Sequence, residues 1–215
     1  MIKHYANNFV SYICSKLFIK EIHGISNMPK EGGFIIAANH TSYLDIPVIY
    51  SALLNKNKRY IRFIAKKELL KDALFRIFIL LLEYKPNKLI IIDKENPEKA
   101  LNEARIALKN KEVVGIYPEG GRSHDGNLTK GKTGVARLAL LAKAPVVPLG
   151  ISGTFELMPS DKSLPKIKKI VKLNIGKPMY FKEYYGKKTN KKNLEDITRS
   201  VMKQIAKLTG QKYNH

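Results

Sequence analysis

The sequence predicts an α/β fold, a single domain in which helices flank a largely parallel sheet. From residue 33 onwards, short runs of β-branched and aromatic residues alternate with longer helical patterns. This alternation is typical of a parallel sheet that is covered on both faces. The 215 residues contain no repeat and no long linker, and 44% of them are apolar. One domain with a substantial core is therefore expected.

The predicted strands are short, and they cover residues 34–38, 60–65, 89–93, 113–117 and 146–149. The predicted helices between them cover residues 45–54, 66–82, 97–109 and 133–143. The third helix has the clearest start, with Asn96 as its N-cap, Pro97 at its first position and Glu98 in its first turn. Further on, residues 166–176 predict an exposed or edge strand, and residues 192–208 predict a last amphipathic helix.

The first twenty residues predict an amphipathic helix, because apolar residues recur there at steps of three and four with lysines beside them. Such a stripe is typical of a membrane-associating helix in the bilayer interface and, equally, of a helix packed on its own domain. We take residues 1–22 as this helix and residues 23–215 as the catalytic domain. Residues 74–82 are apolar on nearly all sides, which favours burial or contact with lipid.

The charge and the cysteine content restrict the classes of partner and site. A formal net charge of +21 attracts anionic partners, and both nucleic acid and an anionic membrane qualify. Cys14 is the only cysteine, which excludes an intramolecular disulfide and a cysteine-based zinc site. We expect no signal peptide and no membrane-spanning helix, since no uncharged apolar run approaches about 18 residues.

A candidate catalytic pair follows the strand predicted at 34–38. His40 lies at the carboxyl end of that strand, where ligands gather in such folds, and Asp45 lies one turn further on. A carboxylate bound to one ring nitrogen would fix the tautomer and leave the other nitrogen as a general base. Such a pair also occurs by chance. The alternative that Asp45 is only a helix N-cap and His40 only a loop residue therefore stays open. No serine or cysteine has an activated setting, and the hydroxyl to be activated is therefore expected on the substrate.

A second candidate site, Tyr-Pro-Glu-Gly-Gly-Arg-Ser, follows the strand predicted at 113–117. Gly120 and Gly121 allow the backbone to approach an anion and to present N–H groups to it. Arg122 carries a planar fork that suits a phosphate, and Glu119 can orient Arg122 or a substrate hydroxyl. These residue types together predict the binding of an anionic ligand.

Several lysines are expected at the same edge of the sheet. Lys66 and Lys94 follow neighbouring predicted strands, and Lys130 and Lys132 precede a helix N-terminus, which favours anions. Each lysine alone is better explained as a solvated surface residue. Together, they are better explained by an anionic ligand.

Two alternatives from other functional classes remain. Residues 126–133 have the Gly-x-x-x-x-Gly-Lys-Thr spacing of a nucleotide-binding P-loop, but a polar turn and not a buried strand precedes the first glycine. We take that match as accidental. A basic nucleic-acid-binding protein is the second alternative, yet the aromatic residues lie within apolar runs and form no stacking platform. No nucleic acid partner is expected.

The motifs taken in chain order resemble the lysophosphatidate (1-acylglycerol-3-phosphate) acyltransferase family. They are Asn-His-x-x-x-x-Asp, Ala-Lys-Lys-Glu-Leu, Ile-Asp-Lys, Tyr-Pro-Glu-Gly-x-Arg-Ser and Pro-Val-Val-Pro, between about residue 24 and residue 153. The resemblance implies an O-acyltransferase that moves a fatty-acyl group from acyl-CoA or acyl carrier protein to the sn-2 hydroxyl of 1-acylglycerol 3-phosphate. The product would be phosphatidic acid, in phospholipid biosynthesis.

The resemblance also assigns roles. It implies His40 as general base, Asp45 as its orienting partner, Glu119, Gly120, Gly121 and Arg122 as the substrate-binding motif, Lys66 and Lys94 as phosphate contacts, and Pro148 on the acyl-donor side. It implies no metal and no cofactor. It further implies an anionic membrane lipid surface as partner, N-terminal helices resting on it, and a peripheral location on the cytoplasmic face.

Three departures from the family pattern leave the acceptor open. Lys94 replaces an arginine and loses its bidentate fork, Gly121 replaces a threonine, and residues 72–76 read Asp-Ala-Leu-Phe-Arg where the family has Pro-Leu-Phe-Gly. Glycerol 3-phosphate and a lyso-aminolipid are the alternative acceptors. For any acceptor, backbone N–H groups near Gly120 and Gly121 are expected to stabilise the tetrahedral oxyanion.

Overall fold

The computed structural model describes residues 11–57, 61–71, 89–93, 95–159, 161–162 and 164–215. Within these ranges, seven strands form one sheet. They are β1 (Ile19–His23), β2 (Phe34–Ala38), β3 (Ile61–Lys66), β4 (Ile90–Ile92), β5 (Val113–Ile116), β6 (Val146–Ser152) and β7 (Val171–Ile175). Their order is β1-β7-β6-β2-β5-β3-β4. Neighbours run parallel except β6 and β7, so the sheet is largely parallel, as predicted.

Helices flank this sheet, which confirms a single α/β domain. They are α1 (Asp45–Asn57), α2 (Pro97–Lys109), α3 (Gly134–Ala142), α4 (Thr154–Leu157) and α5 (Lys191–Thr209), and residues 11–18 are also helical. The start of α2 is as predicted, because the Asn96 side chain accepts a hydrogen bond from the Lys99 amide at 3.2 Å. Among the described residues, no helix is both long and apolar enough to cross a membrane.

The central strand β2 is buried on both faces. Phe34, Ile36 and Ala38 belong to an apolar cluster that includes residues of α1 and of the helical segment 11–18. Ile35 and Ala37 belong to a second cluster with residues of α2, α3 and α5. A strand covered on both sides needs apolar residues at every position, and this explains why residues 34–38 form a continuous apolar run.

Most of the predicted elements are confirmed, with small shifts at their ends. The predictions at 34–38 and 97–109 match β2 and α2, and those at 113–117 and 146–149 correspond to β5 and β6. The strands predicted at 60–65 and 89–93 are β3 and β4. The helices predicted at 45–54, 133–143 and 192–208 are α1, α3 and α5.

The helix predicted over residues 66–82 differs in its described part. Lys66 belongs to β3, where it pairs with Ile92 of β4, and Lys67–Lys71 form a 3-10 helix. The pairing with β4 extends the strand by one residue and delays the helical turn. Residues 72–82, which include the apolar run 74–82, lie outside the described residues.

The helix predicted over the first twenty residues ends earlier than expected. Residues 11–18 are helical, but Ile19–His23 form β1, which runs parallel to β7. The prediction for residues 166–176 was consequently wrong in its placement: β7 has β1 on one side and β6 on the other, so it is neither exposed nor an edge strand. Both errors have one cause, since the predicted helix was extended through residues that pair as a strand.

Candidate active site

Four adjacent parallel strands bring the predicted site residues to one edge of the sheet. β6, β2, β5 and β3 are neighbours, and all four run in the same direction. β2 continues into His40, β5 continues into the loop that carries Glu119 and Arg122, and β3 ends at Lys66. The carboxyl ends of these strands therefore form one surface, as the sequence predicts.

His40 and Asp45 form the predicted pair. The Nδ1 atom of His40 lies 2.8 Å from Oδ2 of Asp45, whose side chain is fully buried. The same carboxylate oxygen accepts the amides of Thr41 and Ser42 at 2.8 and 3.0 Å. An oxygen that accepts these three groups assigns the ring proton to Nδ1. The Nε2 atom of His40 has no hydrogen-bond partner among the described residues, so its lone pair is available to a substrate.

The imidazole ring of His40 has a rigid support. It stacks on the ring of Tyr117, with centroids 3.9 Å apart and an angle of 13° between the planes. Phe63 stacks behind Tyr117 at 6.0 Å. The backbone is also fixed, because the His40 carbonyl accepts the Ser123 amide at 2.8 Å. The side chain of the adjacent Asn39 bonds to both the amide and the carbonyl of Ile151 in β6.

Glu119 connects the two candidate motifs. One of its carboxylate oxygens accepts the backbone amide of His40 at 2.8 Å. The other accepts the amide and the hydroxyl of Thr129 at 2.7 and 2.8 Å. Burial raises the pKa of Glu119 above its ordinary value, against the hydrogen bonds from Thr129 and His40, which lower it. The sequence predicted Arg122 or a substrate hydroxyl as its partner, whereas the structure shows that Glu119 holds the backbone beside His40.

The two glycines of the second motif differ in their surroundings. Gly120 has a φ of 70°, and its amide donates to the Tyr117 carbonyl at 3.0 Å, so it is not free for an oxyanion. The amide of Gly121 has no partner among the described residues, and its φ lies outside the left-handed region. Of the two predicted oxyanion donors, only the Gly121 amide is therefore available in this conformation.

Arg122 lies on the aromatic face of Tyr43. The guanidinium carbon is 3.6 Å from the centroid of the Tyr43 ring, a cation–π contact. The Nη1 atom of Arg122 is buried and has no hydrogen-bond partner in the described part of the chain. A buried donor without a partner is costly, and a bound anion would satisfy it.

The lysines of the predicted site are only partly described. The Nζ atom of Lys66 is 3.9 Å from the position that a Cβ atom would take on Gly121, so this cation reaches the glycine loop. The side chain of Lys132 lies against Gly120, with Nζ 3.1 Å from the corresponding position. Lys94 lies outside the described residues. Lys130 is exposed to solvent.

The P-loop alternative has no structural support. β5 ends at Ile116, and residues 126–133 follow a long turn instead of a strand. The amide of Gly131 is already bound to the Tyr213 hydroxyl at 3.1 Å, which removes a donor that a phosphate would need. The described residues also contain no cluster of three His, Cys, Asp or Glu side chains that could hold a metal ion.

Comparison with known proteins decides the family. The sequence model of the acyltransferase family matches residues 20–152. The 1-acyl-sn-glycerol-3-phosphate acyltransferase of Bacillus subtilis is 30% identical over 190 residues, which span 87% of each chain. The chain belongs to this acyltransferase family. It is an O-acyltransferase of the 1-acylglycerol-3-phosphate acyltransferase type.

Two further similarities agree with this assignment. The crystal structure of the lysophosphatidate acyltransferase PlsC from Thermotoga maritima has a TM-score of 0.65 and 28% identity, covering 99% of this chain and 81% of that one. The human 1-acyl-sn-glycerol-3-phosphate acyltransferase alpha is 29% identical over 136 residues, or 61% of this chain and 45% of the human protein.

The C-terminal tail of this acyltransferase also contacts the site, although it lies beyond the family match. The Gln211 side chain accepts the Leu128 amide at 2.9 Å and donates to the Gly126 carbonyl at 3.1 Å. Together with the bond from the Gly131 amide to Tyr213, these contacts fix the loop that carries Thr129. Sequence reasoning missed this support, because nothing in a tail of mixed polar residues indicates a partner some 80 positions away.

Proposed function

We propose that this acyltransferase moves a fatty-acyl group from acyl-CoA or acyl carrier protein to the sn-2 hydroxyl of 1-acylglycerol 3-phosphate. The product is phosphatidic acid, in phospholipid biosynthesis. One observation carries the proposal: His40 is fixed by Asp45 through Nδ1, and its Nε2 atom has no partner in the described part of the chain. The activities named for the relatives support the substrate class.

The proposed mechanism needs no covalent enzyme intermediate. Nε2 of His40 takes the proton of the acceptor hydroxyl as its oxygen attacks the thioester carbonyl and a carbon–oxygen bond forms. The tetrahedral oxyanion is stabilised by the Gly121 amide. Its collapse breaks the carbon–sulfur bond, and the leaving thiolate receives the proton from His40. We propose no metal and no cofactor beyond the acyl donor.

The acceptor phosphate is proposed to bind next to the second motif. Arg122 has a buried Nη1 atom that lacks a partner, and the Lys66 ammonium lies beside Gly121. Among the described residues, neither side chain is paired with a carboxylate. Both positive charges are therefore available to a phosphate. Lys94 is proposed as a third contact on the basis of its place in the family pattern.

The acceptor is proposed to reach the enzyme from an anionic membrane surface, with the protein peripheral on the cytoplasmic face. The helical segment 11–18 supports this, because Tyr12, Ile13 and Leu17 are exposed while Cys14 and Phe18 pack in the core. A helix that leaves an apolar stripe in water is suited to the bilayer interface.

Measurement of thiol release tests the proposed function. Purified protein with acyl-CoA should release CoA when 1-acylglycerol 3-phosphate is added, and mass spectrometry should place the new acyl group at sn-2. Glycerol 3-phosphate and lysophosphatidylethanolamine should support at most about a tenth of that rate, since the first lacks the acyl chain and the second masks the phosphate charge. A faster reaction with either would reassign the acceptor, and no release with any acceptor or donor would contradict the proposal.

A further inference from the structure

The loop before β7 has an unusual surface. We define the basic–apolar loop as residues 164–169, in which Leu164 is 79% exposed and Ile167 is 73% exposed. Lys166, Lys168 and Lys169 are exposed beside them. Among the described large apolar residues, no others are as exposed. Exposing two large apolar side chains to water is unfavourable in proportion to their exposed apolar area. Such a patch is typical of a surface that a binding partner covers.

The segment that precedes this loop is bonded to the His40 motif. The Ser42 hydroxyl donates to the Met158 carbonyl at 2.7 Å, and the hydroxyls of Thr41 and Thr154 are 3.1 Å apart. The Lys166 amide then donates to the Leu157 carbonyl at 2.9 Å, which holds the loop against α4. The basic–apolar loop is therefore built beside the catalytic edge of the sheet.

The helical segment 11–18 enters the fold at the same edge. β1 and β7 are parallel, and Ile19 pairs with Val171, so the helical segment and the basic–apolar loop precede neighbouring strand ends. β7 runs antiparallel to β6, which places its first residue at the carboxyl end of β6. Exposed apolar residues and lysines of two separate elements thus flank the edge that carries His40.

We propose that the basic–apolar loop is a second membrane-docking element, which inserts Leu164 and Ile167 into the interface of an anionic bilayer. The lysines would contact headgroup phosphates. The interleaving of cations with apolar side chains favours this partner, because a bilayer accepts both without a complementary shape. The functional role of this docking rests on the proposed lipid acceptor, but vesicle binding can be measured without any turnover. Failure of either proposal is therefore distinguishable from failure of the other.

A single fluorophore can test the insertion directly, since the chain contains no tryptophan. Ile167→Trp should show a blue-shifted emission with vesicles of phosphatidylcholine and phosphatidylglycerol, and lipids brominated on their acyl chains should quench it. The control is Leu141→Trp, because Leu141 is 50% exposed near the C-terminal end of α3, toward the opposite edge of the sheet. Equal responses of the two variants, or none from Ile167→Trp, would overturn the proposal.

Vesicle binding of a second variant keeps the test independent of the new tryptophan. Leu164→Ser with Ile167→Ser should weaken binding to anionic vesicles by at least about tenfold, because the loss of even one buried aliphatic side chain has an effect of that size. The control pair Ile106→Ser with Leu141→Ser, also exposed, should bind as the wild type does. Turnover should also be measured with acceptor in vesicles and with a monomeric short-chain acceptor. The ratio of the first rate to the second should fall only in the loop variant. If vesicle binding is unchanged but binding of acidic acyl carrier protein is lost, the loop docks a protein and the proposal is wrong.

Discussion

At the scale of single residues, Asp45 is a fixed acceptor that does not depend on His40. Two backbone amides, from Thr41 and Ser42, already bind the oxygen that contacts the imidazole. These two amides hold the carboxylate in position independently of the imidazole ring. The second oxygen of Asp45 is buried and has no partner among the described residues, so the proposed orienting role falls on one atom.

The contact between Tyr43 and Arg122 gives a prediction about acceptor binding. Tyr43→Leu should raise the KM for 1-acylglycerol 3-phosphate by about twofold to thirtyfold with a smaller change in kcat, because a cation–π contact is worth about 0.5–2 kcal/mol. Tyr43→Phe keeps the aromatic face and should retain a KM close to that of the wild type. Steady-state kinetics on the three proteins measures this. A fall in kcat alone, or an equal effect of both substitutions, would contradict a positioning role for the ring.

The buried carboxyl of Glu119 gives a prediction about pH. Its pKa is raised in the folded protein, so the folded state binds the proton more tightly than the unfolded state. The proton-linked stability is complete below the unfolded pKa and is lost as the pH rises through the folded pKa. The free energy of unfolding of the wild type, relative to that of Glu119→Gln, should therefore decrease from pH 4 upwards. Denaturant titrations at several pH values measure the difference, and a constant or rising difference would refute the assignment.

At the scale of secondary structure, local pattern predicted the centre of the sheet better than its margin. β2 is a continuous apolar run because both of its faces are covered, and the Asn96 cap marks α2 from the sequence alone. β1 was missed because the helix predicted for the first twenty residues was taken to run to residue 22. Only its pairing with β7, some 150 positions away, makes the segment a strand. Long-range pairing of this kind overrides local periodicity.

The same difference between local and long-range information applies to the site residues. The motif positions of His40, Asp45 and Arg122 were predictable, since strand ends in a parallel sheet meet at one edge. The actual partners of Glu119 were not, because both of its oxygens bind the backbone, and any sequence supplies amides. The turn that occupies the Gly120 amide could not be predicted either, because it depends on a φ of 70° at Gly120.

The C-terminal tail gives a prediction at this scale. Gln211→Ala removes two hydrogen bonds to the loop of residues 126–131, and it should lower the free energy of unfolding by about 1–3 kcal/mol. Amide exchange at Leu128 and Thr129 should accelerate, and kcat should fall because Thr129 supports Glu119 beside His40. Lys212→Ala, at an exposed neighbour, is the control and should change none of these quantities. Unchanged exchange in Gln211→Ala would contradict the bracing role of the tail.

At the scale of the whole molecule, the strand order explains how distant motifs form one site. β2 lies between β6 and β5, so His40 has the α4 region on one side and the Glu119 loop on the other. The same edge carries the basic–apolar loop and the helical segment 11–18. We propose that the net charge of +21 attracts the anionic membrane surface, the anionic acceptor and the anionic donor. The proposed catalytic site and the proposed docking surface therefore lie at one edge of the sheet.

The rate of CoA release by His40→Ala tests the central claim most directly. With acyl-CoA and 1-acylglycerol 3-phosphate, kcat should fall about 10²–10⁴-fold, the usual contribution of a positioned general base. His124→Ala is the matched control, because His124 is an exposed histidine in the loop after Arg122. It should keep the wild-type rate, and circular dichroism should show that both variants are folded. A folded His40→Ala protein that releases CoA within about twofold of the wild-type rate would contradict the assignment of His40 as the base.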